Sequence, residues 1–174
     1  MTDLTDSQAP DRSPNLPAEP TFDVASDDIV DGQPLGPAQV AEFGNTSPHL
    51  RWSGAPEGTK SYVVTCFDPD APTPHGFWHW VLVDLPASVT ELPAGAASRP
   101  LPEGAFHVRN DAGERGFLGA APPKGDGVHR YLFVVHAVGE ETLGVSPDVT
   151  PVEVSFTLAF ASIGHAVIQG TYQR

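Results

Sequence analysis

Apolar residues gather in three runs, "SYVVTCFD" (61–68), "FWHWVLVDL" (77–85) and "HRYLFVVHAV" (129–138), separated by stretches rich in Pro and Gly. Short runs heavy in Val, Phe, Tyr and Trp between turn residues predict strands. The last two are apolar at successive positions, not only at alternate ones. That pattern predicts central strands covered on both faces. "PHLRW" (48–52) is a weaker strand candidate.

Near the C-terminus the period changes. In "TPVEVSFTLAFASIG", Val152, Phe156, Ala159, Phe160 and Ile163 recur at helical spacing. Thr150 stands as N-cap, Pro151 as first helical residue and Gly164 as the stop. The spacing therefore predicts a short helix whose apolar face carries Val152, Phe156 and Phe160. "HAVIQGTYQ" then reads as a closing strand.

Composition narrows the class. The 174 residues suffice for one domain with a sizeable core, and 17 Gly with 19 Pro imply many turns and few long helices. The chain is thus all-β dominated. Residues 1–20 hold four Pro, four acids and few apolar side chains, which predicts a disordered tail, with the folded domain over 21–174. Acids outnumber Lys and Arg 22 to 9, a net charge of −13. Such a surface repels nucleic acid and anionic lipid. The lone Cys66 reads as a buried small hydrophobe, and a single cysteine forms no internal disulfide. No run of about 18 apolar residues and no signal-like start is present, so the expected location is the cytoplasm.

The chemistry concentrates where strands meet loops. "DPDAPTPHGFWHW" (68–80) sets Asp68 and Asp70 among three prolines, before a strand that carries His79. If the flanking strands pair antiparallel, Asp68 and His79 meet at one sheet edge. Period-two geometry places His79 on a face with Val81 and Val83, and His129 on a face with Tyr131, Phe133 and Val135. A carboxylate beside an imidazole favours its charged form and fixes its orientation. The prolines order the loop in advance, which lowers the entropy lost on binding. These groups suit an anion, or a zwitterion whose ammonium meets an Asp. The loop over 111–128 adds Gly113, Gly116, Gly119, Gly125 and Gly127, and its length marks it as functional. Lys124 is not placed as a Walker lysine.

Together these motifs resemble the phosphatidylethanolamine-binding protein family, in its bacterial Raf-kinase-inhibitor-like branch. The likeness rests on "DPDAP", "FWHWVLVDLP" and "RNDAGERGFLGAAPPKGDGVHRYLFVVHAV", and extends over roughly residues 22–173, with "SPHLRW" and the terminal "GTYQR". It implies a β-sandwich with a short C-terminal helix, a closing strand and a small anion pocket at one end. Matching motif positions bring Asp68, Asp70, Pro72, His79, His129 and Tyr131 to that pocket, with Ala121, Pro122 and Pro123 as a wall. Two departures, Phe117 for tyrosine and Ala120 for proline, imply a wider or more mobile wall.

The resemblance implies a non-catalytic binding protein for a phosphate- or carboxylate-bearing ligand, such as a phosphoethanolamine-like head group or a modified side chain. His79 and His129 would donate to the anion, and Asp68 and Asp70 would orient them or meet an amine. Two other readings stand beside it: a module that inhibits a kinase or protease partner, and a hydrolase using the Asp-His pairs. No cofactor is implied. A zinc or iron site is disfavoured because the His and Asp spacing fits no helical ligand pattern. Exposed sheet edges make a homodimer reasonable. Tyr131 reads equally as pocket hydroxyl or core aromatic, and Trp78 and Trp80 as packing. Arg109, Asn110 and Asp111 read as loop-ordering residues, and His49, His75, His107, His136 and His165 as structural or exposed.

Overall fold

The computed structural model describes residues 18–174, and the three long apolar runs are its central strands. In chain order the strands are β1 (Asp23–Ala25), β2 (Gln33–Pro34), β3 (Leu50–Ser53), β4 (Ser61–Asp68), β5 (Phe77–Pro86), β6 (Glu91–Leu92), β7 (Phe106–His107), β8 (His129–Val138) and β9 (Ser162–Tyr172). Among the described residues one α-helix, α1 (Pro151–Ala161), forms, and it leads directly into β9. Six strands form a sheet in the order β2-β9-β8-β4-β5-β7, and β1-β3-β6 form a second.

The six-stranded sheet is covered twice. On one face Tyr62, Val64, Cys66, Trp80, Leu82 and Phe133 pack against Leu50 and Trp52 of β3 and Leu92 of β6. On the other, Val63, Val81, Val83 and Val138 pack against Val154 and Leu158 of α1. Every residue of β4 is buried as a result. Double coverage is why the central strands read as continuous apolar runs.

Helix α1 forms as the sequence predicts but presents another face. Thr150 and Glu153 make a reciprocal capping box, and Pro151 occupies the first turn. The buried residues are Pro151, Val154 and Leu158, whereas Val152, Phe156 and Phe160 are 58, 69 and 80% exposed. The helix is apolar around most of its circumference, so its period does not set its phase. The slimmer row fits over the valines of the sheet. Gly164 is not the stop, because the chain turns into β9 at Ser162. Gly164 instead passes against the neighbouring chain, where a Cβ would lie 2.7 Å from Pro56 Cγ.

A bulge corrects the face assigned to His79. On β4 Cys66 opposes Trp80 and Phe67 opposes Trp78, so His79 is the additional residue of β5. Its ring leaves the Val81 and Val83 face and meets Tyr131 edge-on, with centroids 5.2 Å apart. Of the tail expected over 1–20, residues 1–17 lie outside the described residues. Glu19 is tied down, its carboxylate 2.8 Å from His165 Nδ1, and Pro20 accepts the His165 N–H.

Candidate ligand-binding pocket

At the sheet edge where β4 ends, Asp68 pairs with Phe77 at the start of β5, and β8 begins alongside with His129. A cavity of about 190 Å³ opens there. Asp68, His79, His129 and Tyr131 line it from the strands, Pro72 from the first loop, and Ala121, Pro122 and Pro123 from the second. Ala71, Thr73, Phe77 and Leu118 complete the lining. Eight of the nine residues expected at the site therefore converge. Asp70 does not line it.

His129 is the charged centre. Its side chain is 2% exposed, with Nδ1 2.7 Å from Asp68 and Nε2 2.8 Å from Asp126. Burial opposes charge on the ring, but hydrogen bonds and attraction from the two carboxylates outweigh it and raise the pKa. The protonated ring then donates from both nitrogens. Asp68 also accepts the Asp70 N–H, so one buried carboxylate both aims the ring and closes the turn. The sequence singled out Asp68 but not Asp126. The available signal was its position three residues before His129 in "GDGVHR".

His79 differs from the expected donor. Among the described residues no carboxylate bonds it. Its Nδ1 lies 2.8 Å from the Leu118 carbonyl, which can only accept, so Nδ1 carries the proton. Burial lowers its pKa, against the opposing pull of the Leu118 carbonyl and Asp68. The neutral ring therefore leaves Nε2 as an acceptor beside the cavity. In return the Leu118 N–H bonds the His79 carbonyl, and Asn110 Nδ2 bonds the same oxygen. Residues 110–118 are thus pinned to β5. Asn110 further accepts from Ala112 and Glu114, Asp111 accepts the Trp78 N–H, and Arg109 donates to the Gly113 carbonyl.

Asp70 belongs to another pair. Arg130 donates to it from the backbone N, Nε and a terminal nitrogen, at 2.8–2.9 Å. Burial opposes its charge, yet the Arg130 bonds hold its carboxyl below the ordinary range. It fastens the first loop to β8 and orients neither histidine. Tyr131 is 1% exposed within the core and also lines the cavity, with its hydroxyl buried beside the Ala121 backbone. Desolvation and the Asp68 charge raise its pKa and keep it protonated.

The two departures from the motif lie behind the wall. Phe117 packs edge-on to Trp80 in the core, so a hydroxyl there would have no solvent. Ala120 donates its N–H to the Gln39 carbonyl, a bond that proline cannot make. The substitution ties the wall down instead of loosening it. His49, His107, His136 and His165 are buried in other parts of the fold, and His75 is exposed. Among the described residues no group of three or more His, Cys, Asp or Glu gathers as a metal site requires, and no helix is long and apolar enough to cross a membrane.

Comparison with known proteins gives the same frame. The family model for phosphatidylethanolamine-binding protein matches residues 25–173. The UPF0098 protein YbcL of Escherichia coli K12 is 46% identical over 160 residues, covering 87% of each chain. Its YbhB counterpart is 44% identical over 154 residues, 84% of this chain and 97% of its own. The crystal structure of E. coli YbcL superimposes with a TM-score of 0.85 over 88% of this chain and 98% of its own. A Chlamydia trachomatis homologue follows at 28% identity and a TM-score of 0.77, over 88% of this chain and 98% of its own.

Proposed function

The chain belongs to the phosphatidylethanolamine-binding protein family, and from that premise we propose that it is a non-catalytic binding protein whose pocket takes a small phosphate- or carboxylate-bearing group. The observation that carries the reading is the buried His129, held between two carboxylates, in the wall of a cavity that Tyr131 also lines. Asp68 fixes the orientation of the cation from the core, so the ring itself need not turn to meet an anion. The Tyr131 hydroxyl supplies a second donor. His79 Nε2, as an acceptor, suits a protonated ligand oxygen or an ammonium, so a hydrogen phosphate ester or a zwitterionic head group complements the set better than a bare dianion.

Two features favour binding over hydrolysis. The one cysteine, Cys66, is fully buried, and burial followed by the nearby Asp68 charge raises its pKa well above the ordinary thiol value. Thr73, the aliphatic hydroxyl residue on the cavity wall, donates to the Gly76 carbonyl. The reading is tested by titrating O-phosphoethanolamine into the protein by calorimetry near neutral pH, beside His129→Ala. Saturable binding that the variant loses while keeping its fold supports it. Absence of binding to the folded wild-type protein rejects it.

A further inference from the structure

The nitrogen through which His129 would meet a ligand is already occupied by a carboxylate of the same chain. Asp68 holds Nδ1 from the core with a side chain 3% exposed, so that bond is permanent furniture of the fold. Asp126 holds Nε2 from the loop side and is 36% exposed. Besides this contact, Asp126 donates its N–H to the Pro123 carbonyl within the same loop. It follows Gly125 and precedes Gly127, both at positive φ, on a loop tip between the Pro-rich wall and β8.

Charge gives the arrangement a consequence. Asp68, Asp126 and protonated His129 sum to one negative charge, so the wall as it stands does not attract an anion. An anion reaches Nε2 by replacing the Asp126 carboxylate. The displaced carboxylate then lies unpaired within a few ångströms of the new negative charge, and like charges so placed raise each other's energy. An ammonium on the same ligand removes that penalty by taking the place of His129 as the partner of Asp126.

We infer that Asp126 is a specificity-determining residue: it exchanges with the ligand's anionic group at His129 and thereby favours phosphates that carry an adjacent ammonium over simple anions. This rests on the pocket reading above and adds a selectivity to it. The exchange leaves Asp126 partnered by the ammonium of such a ligand and unpartnered when the ligand is inorganic phosphate. No proton transfer or bond breaking is involved.

The test compares inorganic phosphate with O-phosphoethanolamine on the wild-type protein and Asp126→Asn, by calorimetry at fixed pH and ionic strength. Because Asp126 lies on an exposed loop, thermal melts serve only to verify that the variant is folded. The wild-type protein is expected to prefer phosphoethanolamine, and the ratio of the two dissociation constants should fall by about tenfold or more in Asp126→Asn, chiefly because phosphate binds more tightly. If both ligands bind and the ratio is unchanged, the role given to Asp126 is overturned and the pocket reading survives. If neither ligand binds either protein, both fail. A second readout is the His129 ring in nitrogen NMR: its pKa should fall in Asp126→Asn, and an unaltered titration overturns the contact itself.

Discussion

The Asp68 carboxylate and the His129 imidazole meet at 2.7 Å with side chains 3% and 2% exposed, so the pocket's cation is aimed from the core and not from solvent. The contact follows from strand register. β4 and β8 pair antiparallel, and the ladder runs to Phe67 opposite Leu132, which leaves Asp68 at the end of one strand beside the start of the other. The Asp68–His129 contact is therefore built on the adjoining ends of two paired central strands.

Replacing Asp68 with Asn should reveal the pair through the pH dependence of stability. Breaking a buried ion pair costs roughly 3–5 kcal/mol. The folded pKa of His129 is raised, so its contribution is fully present below the unfolded value of about 6.5 and is lost as pH rises through the folded value. Urea melts should show the gap between wild type and Asp68→Asn at its widest near pH 6 and narrowing above neutrality. A gap that widens with pH would contradict the assignment of charge to His129.

His107 works in the opposite direction. Burial lowers its pKa to about 4, and its Nε2 accepts the Trp80 indole N–H at 3.0 Å, a bond that protonation would break. A depressed pKa gives stability that is present above about 6.5 and lost as pH falls towards the folded value. From 6.5 to about 4, the linked loss is roughly 3 kcal/mol. His107→Gln keeps an acceptor but cannot charge, so its stability should fall less steeply between pH 6.5 and 4. Parallel slopes for the two proteins would remove His107 from the acid response.

The sequence exposed the strands and the convergence of the site, but not the details set by neighbours. β4 and β8 have the bounds of their apolar runs because they are covered on both faces. The face of His79 was hidden by a bulge, which depends on how β5 pairs with β4 and leaves no composition mark. Asp70 and Asp68 look equivalent in "DPDAP", yet Arg130 captures one and His129 the other, because the loop turns between them. Asp126 was missed because a Gly-Asp-Gly stretch reads as an ordinary turn.

The phase of α1 gives a direct check on packing. Phe160 is 80% exposed and Leu158 is 5% exposed, only two residues away. Phe160→Ser should alter stability by no more than about 0.5 kcal/mol, as surface changes do. Leu158→Ala should cost about 2–5 kcal/mol by opening a cavity over the sheet valines. Chemical denaturation of both variants decides the matter. The reverse order would restore the face that the apolar spacing first suggested.

Gly76 links backbone conformation to the pocket without contributing a lining side chain. It has φ +69°, and a Cβ there would lie 2.5 Å from the Phe67 ring and 2.6 Å from the Asp68 carbonyl oxygen. Alanine must therefore both adopt a left-handed conformation, at about 1–2 kcal/mol, and displace the residue that aims His129. Gly125 has a similar φ of +79°, but a Cβ there meets nothing within 4 Å. Gly125→Ala carries only the conformational cost, so it isolates the steric one. Gly76→Ala should be the less stable of the two by denaturant midpoint and should bind phosphoethanolamine more weakly. The Phe67–Trp78 ring pair, at 4.5 Å, should report the shift as changed tryptophan fluorescence in Gly76→Ala alone. Equal stability and equal binding in the two variants would show that the Asp68 turn absorbs a methyl group without moving the site.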